Sequence, residues 1–173
     1  MARRLRIFLC GTFTDFHSER RAILEGIASP GHRLVSMEWF GAHPDTPIEV
    51  CLAQVRECDV LIVIVGHRYG SYAPKKNRSF SELEYREGYN YGKPCLVFFL
   101  DKDALVHPDH VESSSKKKKK LKKWKKKLRA RHTVACFKSV DSLVKQVKIG
   151  LQRVEEENGP CTPIGAGFRR TES

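Results

Sequence analysis

Residues 59–65 read DVLIVIV, and the run from Val60 to Val65 is the most hydrophobic in the chain. Continuous β-branched residues of this kind are typical of a strand that is covered on both faces of a parallel sheet. On either side, apolar runs alternate with helical patterns, which predicts further strands at 5–10, 33–39, 95–100 and 133–137 and helices at 15–28, 47–58, 79–91 and 140–154. This alternation predicts an α/β fold with three layers, in which helices cover both faces of a five-stranded parallel sheet in flavodoxin-like order.

The length of 173 residues suits one domain of ordinary size. We predict that this domain spans residues 1–154 and that the Gly/Pro-rich residues 155–173 form a disordered tail. The first residues, MARRLRIFLCGTF, predict a strand rather than a signal peptide, and no apolar run approaches the roughly 20 residues of a membrane span. The six cysteines show no CxxC spacing. We therefore expect reduced thiols, no metal site, no cofactor and a cytoplasmic location.

The formal net charge of +12 comes from one segment. Residues 116–132 contain 12 of the 32 basic residues and no acidic ones, which leaves 20 basic residues to balance the 20 acidic residues elsewhere. A protein that binds nucleic acid over its whole surface is therefore disfavoured.

The same segment is predicted to be a Lys-rich helix with a narrow apolar stripe. Leu121, Trp124 and Leu128 follow the i, i+3, i+7 spacing of one helix face. One interpretation is that this stripe packs on the sheet while the lysines stay in solvent. The alternative is that Lys116–Arg131 contacts a polyanion, either nucleic acid or an anionic membrane surface.

Ligands of such folds bind beyond the carboxyl ends of the strands, which directs attention to the loops at 11–16, 39–43 and 66–72 and to the start of the helix at Ser79. Ser79 with Glu82, or Ser81 with Glu84, each fits the Ser-x-x-Glu capping box of a helix start. Because a helix has one N-cap residue, one carboxylate is left over beside the cleft. A carboxylate there suits N-glycosidic cleavage, in which positive charge develops on a sugar ring.

The loop after the central strand reads GHRYG. Its glycines permit tight turns and close approach of a ligand, Arg68 suits phosphate oxygens, and Tyr69 suits stacking on a base. The alternative for Arg68 is an internal ion pair with Glu84 or Asp15 that only fixes the loop.

The loop after the first strand contains Gly11, Thr12, Thr14 and Asp15 just before a predicted helix, where backbone N–H groups favour an anion. Asp15 also suits an ordinary helix N-cap. Two aromatic residues, Trp39 and Phe40, follow another predicted strand. They suit either a wall of the cleft or the core.

Four segments follow one another in the order of a known domain family: RIFLCGTFTDFHSER, MEWFGAHPDTPIEVCLAQVRECDV, GHRYG and SFSELEYREGYNYGKPCLVF. On these motifs the chain resembles the TIR-like family catalogued as domain of unknown function 4062, closely over residues 4–100 and less closely to residue 154. Domains of this family are often found before NACHT ATPase and repeat modules.

The resemblance extends to catalytic TIR domains and to nucleoside deoxyribosyltransferases. NAD-hydrolysing TIR domains carry an aromatic residue, three others and a catalytic glutamate, with Gly-Lys eight residues further on. Phe80, Glu84 and Gly92-Lys93 match this spacing, although many TIR enzymes have Trp in place of Phe80. The deoxyribosyltransferases place their nucleophilic glutamate at the same distance from Gly-Lys-Pro. Both resemblances imply that Glu84 is catalytic and that Glu82 caps the helix with Ser79.

Two functions follow from the resemblance. In the first, the chain is a nucleotide-binding signalling or defence domain that hydrolyses the N-glycosidic bond of NAD or a related nucleotide. Glu84 is then the catalytic residue, and the predicted substrate-binding residues are Gly11, Thr12, Asp15, Arg68, Tyr69 and Phe80. In the second, it is a non-catalytic TIR-like module that self-associates or binds protein partners.

Overall fold

A parallel sheet of five strands lies at the centre of the computed structural model, which describes residues 4–28, 31–36 and 45–157. The strands are β1 (Arg6–Gly11), β2 (Arg33–Val35), β3 (Val60–Val65), β4 (Cys95–Leu100) and β5 (Val134–Phe137). Their order across the sheet is β2-β1-β3-β4-β5, and every neighbouring pair is parallel. The predicted α/β class, strand number and flavodoxin-like order are confirmed.

Strand β3 owes its composition to its central position. It pairs with β1 from Ile7↔Val60 onward and with β4 from Leu61↔Cys95 onward, and all six of its side chains are buried. Alternate side chains enter the cores on opposite faces of the sheet, so neither face of the strand tolerates polar residues. The continuous run VLIVIV is the direct consequence.

Among the described residues, five α-helices complete the three layers: α1 (His17–Ala28), α2 (Pro47–Glu57), α3 (Phe80–Asn90), α4 (Ser115–Arg131) and α5 (Val140–Glu157). Helices α1 and α5 pack on one face of the sheet, through residues such as Ile23 and Leu143. Helices α2, α3 and α4 cover the other face, through residues such as Val55, Tyr85 and Trp124.

Some element boundaries differ from the sequence-based prediction. Helix α5 continues to Glu157, so residues 155–157 are helical and not part of a disordered tail. Helix α1 begins at His17 rather than at residue 15. The predicted end of β2 and the pair Trp39 and Phe40 lie outside the described residues.

The apolar stripe of α4 packs as the first interpretation predicted. Leu121, Trp124 and Leu128 are buried in the core that α4 shares with β3 and β4, while most of the lysines around them are exposed. In the part of the chain that the structure describes, no helix is long and apolar enough to cross a membrane.

The cysteines of the described residues are free thiols. Cys10, Cys51 and Cys58 are buried, Cys95 is half-buried and Cys136 is exposed. Between residues 4 and 157, leaving out the two undescribed stretches, no cluster of histidine, cysteine and acidic side chains has the arrangement of a metal site.

Candidate functional site

A cavity of about 100 Å³ lies where the carboxyl ends of β1 and β3 meet the start of α3. We call it the β1–β3 cavity. Twelve residues line it: Gly11, Thr12, Phe13, Thr14, Asp15, Arg20, Arg68, Gly70, Ser71, Phe80, Ser81 and Glu84. The structure therefore brings together Glu84 and all of the predicted substrate-binding residues except Tyr69.

Two glycines allow the walls of this cavity to approach each other. A Cβ atom on Gly11 would lie 3.0 Å from the backbone oxygen of Ile64 on β3. Gly70 has a φ of +89°, and a Cβ atom there would lie 2.7 Å from Cγ2 of Thr12. Both distances are shorter than ordinary contact, so a larger residue at Gly11 would push β1 away from β3, and one at Gly70 would push the two loops apart.

Glu84 lies on α3 with only 4% of its surface exposed, beside the end of β1. The nearby Cys10 thiol donates a hydrogen bond to the backbone oxygen of Ser81 (3.1 Å). Burial raises the pKa of the Cys10 thiol well above its usual range, and the charge and hydrogen bonding of Glu84 raise it further. The thiol is thus held protonated next to the carboxylate, where it acts as a neutral donor and not as a nucleophile.

Capping does not explain Glu84. The N-cap of α3 is Ser79, whose Oγ accepts a hydrogen bond from the backbone N–H of Glu82 (3.2 Å). The alternative box of Ser81 with Glu84 is therefore wrong, because Ser81 lies inside the helix. Of the two glutamates, Glu84 is the one that the fold leaves at the cavity.

Glu82 does not complete a capping box either. In such a box its carboxylate would accept from the backbone N–H of Ser79. That N–H instead donates to the hydroxyl of Tyr69 (3.4 Å), and the Glu82 carboxylate accepts from the Tyr69 hydroxyl and from Nε of Arg86 (3.0 Å). The prediction that Glu82 is the reciprocal capping partner is wrong, because the Tyr69 hydroxyl lies between the Ser79 N–H and the Glu82 carboxylate and is hydrogen-bonded to both.

Tyr69 therefore does not enter the β1–β3 cavity. Its side chain is fully buried on the α4 side of α3, and its ring centroid lies 6.4 Å from that of Trp124. Burial, followed by the hydrogen bond to Glu82, raises the pKa of Tyr69 to about 12. The backbone N–H of Tyr69 donates to the buried carboxylate of Glu112 (3.2 Å), and this hydrogen bond fixes the position of the GHRYG loop. A role for Tyr69 in stacking on a base in this cavity is excluded by its position.

Arg68, the neighbour of Tyr69, does line the cavity. Its Nη1 donates to the backbone oxygen of Asp109 (3.2 Å), in the loop that follows β4. The side chain is only partly buried. Its other N–H groups can therefore meet an anionic group at the mouth of the cavity.

The loop after β1 supplies two buried polar atoms. Oγ1 of Thr12 and Oδ1 of Asp15 are inaccessible to solvent, and neither has a hydrogen-bond partner among the described residues. Asp15 is not the predicted N-cap, because α1 begins two residues after it, at His17. Buried polar atoms in native proteins are nearly always hydrogen-bonded, so this pair points to a bound molecule or water as its partner.

Arg20 was missed by the sequence reasoning. It is 6% exposed, and its guanidinium donates to the backbone oxygen of Gly11 (3.0 Å) and to Oγ of Ser36 (2.9 Å). A positive charge thus supports the loop at the end of β1. One signal was present in the sequence, because Arg20 follows Phe16 by four residues and precedes Ile23 by three, on the buried face of α1.

Two known proteins match most of the chain in sequence. The mouse and rat proteins named Telomerase protein component 1 match 78% of the chain, with 25% and 24% identity over 176 residues. The match covers only 7% of the length of either relative.

Two solved structures share the fold. The CMP N-glycosidase BcmB of Clostridium botulinum matches with a TM-score of 0.51 and 12% identity, over 83% of this chain and 98% of its own. The RPS4 and RRS1 TIR domain heterodimer matches with a TM-score of 0.56 and 11% identity, over 89% of this chain and 99% of its own. At these identities the likeness concerns the fold alone, which is TIR-like.

The sequence profile of one family covers almost all of the described residues. It matches residues 6–152, which run from the first residue of β1 into the C-terminal half of α5. The chain belongs to the family described as Domain of unknown function (DUF4062).

Proposed function

We propose that the β1–β3 cavity binds a nucleotide and hydrolyses its N-glycosidic bond, with Glu84 as the catalytic residue. The observation that carries this proposal is the position of Glu84. It is a buried carboxylate, without a capping role, at the carboxyl ends of two central parallel strands. Ligand sites of doubly wound folds lie at this edge of the sheet.

The reaction breaks the bond between C1′ of the sugar and the nitrogen of the base. The base leaves with the electron pair, and positive charge develops on C1′ and the ring oxygen. The Glu84 carboxylate stabilises this charge, and its low exposure strengthens the interaction, since Coulomb energy rises as the local dielectric constant falls. Water then adds to C1′ and loses a proton. The proton goes to solvent when the base leaves as a neutral molecule, as nicotinamide does, and to the base when it leaves as an anion, as cytosine does.

The other lining residues suit the remaining parts of a nucleotide. Thr12 and Asp15 line the cavity with polar side chains that suit sugar hydroxyls, and Phe80 offers an aromatic ring to the base. Arg68 at the mouth suits a phosphate group. The volume of about 100 Å³ is below the roughly 300–1,000 Å³ of typical small-molecule sites, so the cavity accommodates only part of a nucleotide.

The substrate class is tested with two nucleotides. NAD is chosen because Phe80, Glu84 and Gly92-Lys93 match the spacing of NAD-hydrolysing TIR domains, and CMP because one structural neighbour is named as a CMP N-glycosidase. Release of nicotinamide or cytosine is followed by chromatography, with and without a crowding agent that promotes assembly.

The decisive variant is Glu84→Gln, which keeps the shape of the side chain and removes its charge. We expect it to lower turnover by roughly 100-fold or more, because it removes the group that stabilises the transition-state charge. Glu87→Gln on the same helix is the matched control, since Glu87 pairs with Arg56 away from the cavity. Equal turnover by Glu84→Gln and wild type, or no release by well-folded wild type from either nucleotide, would contradict the proposal.

A second candidate function, a non-catalytic interaction module, is favoured by an exposed aromatic pair at the end of α3. Tyr89 and Tyr91 are 40% and 56% exposed, and the guanidiniums of Arg131 and Arg56 lie 4.0 Å and 5.5 Å from their ring centroids. Tyrosine and arginine are enriched among residues that dominate binding at protein interfaces. For this function, Tyr91→Ala would weaken self-association in analytical ultracentrifugation, whereas Glu84→Gln would leave it unchanged.

A further inference from the structure

A second concave surface lies on the opposite side of α3 from the β1–β3 cavity. This groove of about 280 Å³ is bounded by α4, by the loop at 77–78 and by the outer face of α3, and we call it the α3–α4 groove. Its lining residues are Tyr69, Asn77, Arg78, Glu82, Arg86, Lys120, Lys123, Trp124 and Lys127. None of them lines the β1–β3 cavity, so the groove is a separate site.

The groove carries a large excess of positive charge. Of its six charged side chains, five are basic and only Glu82 is acidic. That carboxylate is already engaged, because it lies 3.0 Å from Nε of Arg86 and 3.5 Å from Nε of Arg78. Within the described ranges, none of the three lysines of the groove forms an ion pair with a carboxylate.

The cations of the groove repel one another. Desolvation lowers the pKa of Lys127, and the positive charges of Arg86, Arg131 and Arg78 lower it further, against the opposing effect of Glu82. A bound anion would relieve this repulsion. The α4 lysines of the groove come from one helix, while the two arginines come from α3 and the loop before it, so the charges converge on one concavity from two sides.

Two side chains of the groove are held in place by their neighbours. Lys120 is fixed by hydrogen bonds from its Nζ to the backbone and side-chain oxygens of Asn77, and it lies 4.8 Å from the ring centroid of Tyr72. Trp124, which also lines the groove, is only 3% exposed, and its ring is packed against those of Tyr69 and Tyr85. Lys120 and Trp124 therefore lose little conformational freedom when a ligand binds.

We infer that the α3–α4 groove binds a compact anion that carries two or more linked phosphate groups. Arginine and lysine are the side chains that recognise phosphate oxygens, and the converging charges suit a short, densely charged ligand. An extended polyanion would instead use the outward lysines along the full length of α4. Free polyphosphate and the phosphate chain of a nucleotide share the required chemistry.

The probes are tripolyphosphate and ATP, titrated by calorimetry into the full chain at about 0.15 M salt, where exposed charges are screened beyond roughly 8 Å. We compare the double variant Lys123→Glu and Lys127→Glu with Lys122→Glu and Lys126→Glu. Both pairs lie on α4 with the same spacing and change the charge equally, but Lys122 and Lys126 line a different surface of the helix. Circular dichroism verifies that each variant is folded, and Lys→Gln pairs replace any charge reversal that unfolds the chain.

We expect the groove variant to weaken tripolyphosphate binding by roughly tenfold or more and the control variant by less than about threefold. Tighter binding of ATP than of tripolyphosphate would indicate a nucleotide as the source of the phosphates, and the reverse would indicate free polyphosphate. Equal weakening by both variants would overturn the inference, because the anion would then bind to the overall positive charge of α4 and not to the groove. Tighter binding of a single-stranded DNA oligonucleotide than of tripolyphosphate would overturn it in favour of nucleic acid. Absence of binding by wild type would also overturn it, and none of these outcomes depends on Glu84 or on turnover.

Discussion

Substitution of Gly70 by alanine tests the close approach of the two loops that form the β1–β3 cavity. Gly70 has a φ of +89°, a conformation that residues with a side chain rarely adopt. A Cβ atom at this position would also lie 2.7 Å from Cγ2 of Thr12. The substitution therefore combines backbone strain with a steric clash.

The two effects have separable magnitudes. Holding a non-glycine residue in a sparsely populated backbone region costs about 1–3 kcal/mol. Overpacking a close contact costs about 1–3 kcal/mol more. We therefore expect Gly70→Ala to lower the free energy of unfolding by about 2–6 kcal/mol, a large part of the 5–15 kcal/mol typical of native proteins.

A second substitution isolates the clash. Thr12→Ser removes Cγ2 and keeps the hydroxyl, so it should restore the roughly 1–3 kcal/mol of steric cost and leave the backbone strain in place. Gly92→Ala is the matched control, because Gly92 also has a positive φ (+66°) but its Cβ would meet nothing within 4 Å. It should show backbone strain alone and no coupling to Thr12.

The assay is urea unfolding followed by circular dichroism, arranged as a double-mutant cycle. We expect a stabilising coupling of at least about 1 kcal/mol between Gly70→Ala and Thr12→Ser. A coupling below about 0.5 kcal/mol, equal to that of Gly92→Ala with Thr12→Ser, would refute the packing of the two loops. A loss no larger for Gly70→Ala than for Gly92→Ala would refute it as well.

Two further predictions concern the other side of α3. Trp124→Ala should lower the free energy of unfolding by about 3–5 kcal/mol, because it removes a buried indole from the core. Lys122→Ala on the same helix should change it by less than about 0.5 kcal/mol. Chemical denaturation distinguishes the two. Tyr69 has a folded-state pKa of about 12 against an ordinary value near 10, so its contribution is fully present below about pH 10 and is lost as the pH rises through 12. Tyr69→Phe should therefore be less stable than wild type by about 1–3 kcal/mol at pH 8, because it leaves the Glu82 carboxylate without this donor. The difference should shrink between pH 10 and 12, and a constant difference would contradict the raised pKa of the buried hydroxyl.

The strand order and the place of the site could be predicted because they depend on patterns that the backbone imposes. A run of six buried β-branched and aliphatic residues identifies the central strand, and the connection rules of parallel sheets then fix its neighbours. The same rules place the loops after β1 and β3 at one edge. This is why Gly11, Thr12 and Arg68 could be placed beside the start of α3 from the sequence, whereas the choice of Glu84 over Glu82 came from the family resemblance.

Side-chain direction within the loops could not be predicted. Arg68 and Gly70 line the β1–β3 cavity, but Tyr69 between them turns away, because the buried Glu112 holds its backbone and Glu82 holds its hydroxyl. Glu112 is distant from Tyr69 in the sequence, and Glu82 was predicted to cap α3. A loop has no fixed period, so the direction of its side chains depends on contacts that only the tertiary structure supplies.

The periodicity of α3 explains how one helix serves two surfaces. Residues two positions apart on a helix point in different directions, so Glu84 lines the β1–β3 cavity while Glu82 lines the α3–α4 groove. Residues four positions apart on a helix share a face, so Glu82 and Arg86 lie together, and Arg78 from the loop before α3 extends the charged row through its ion pair with Glu82. A ligand that binds this row acts on the first turns of the helix that carries Glu84. Binding at the groove and turnover at the cavity therefore involve the same helix through different residues, and variants of the one set leave the other set of side chains in place.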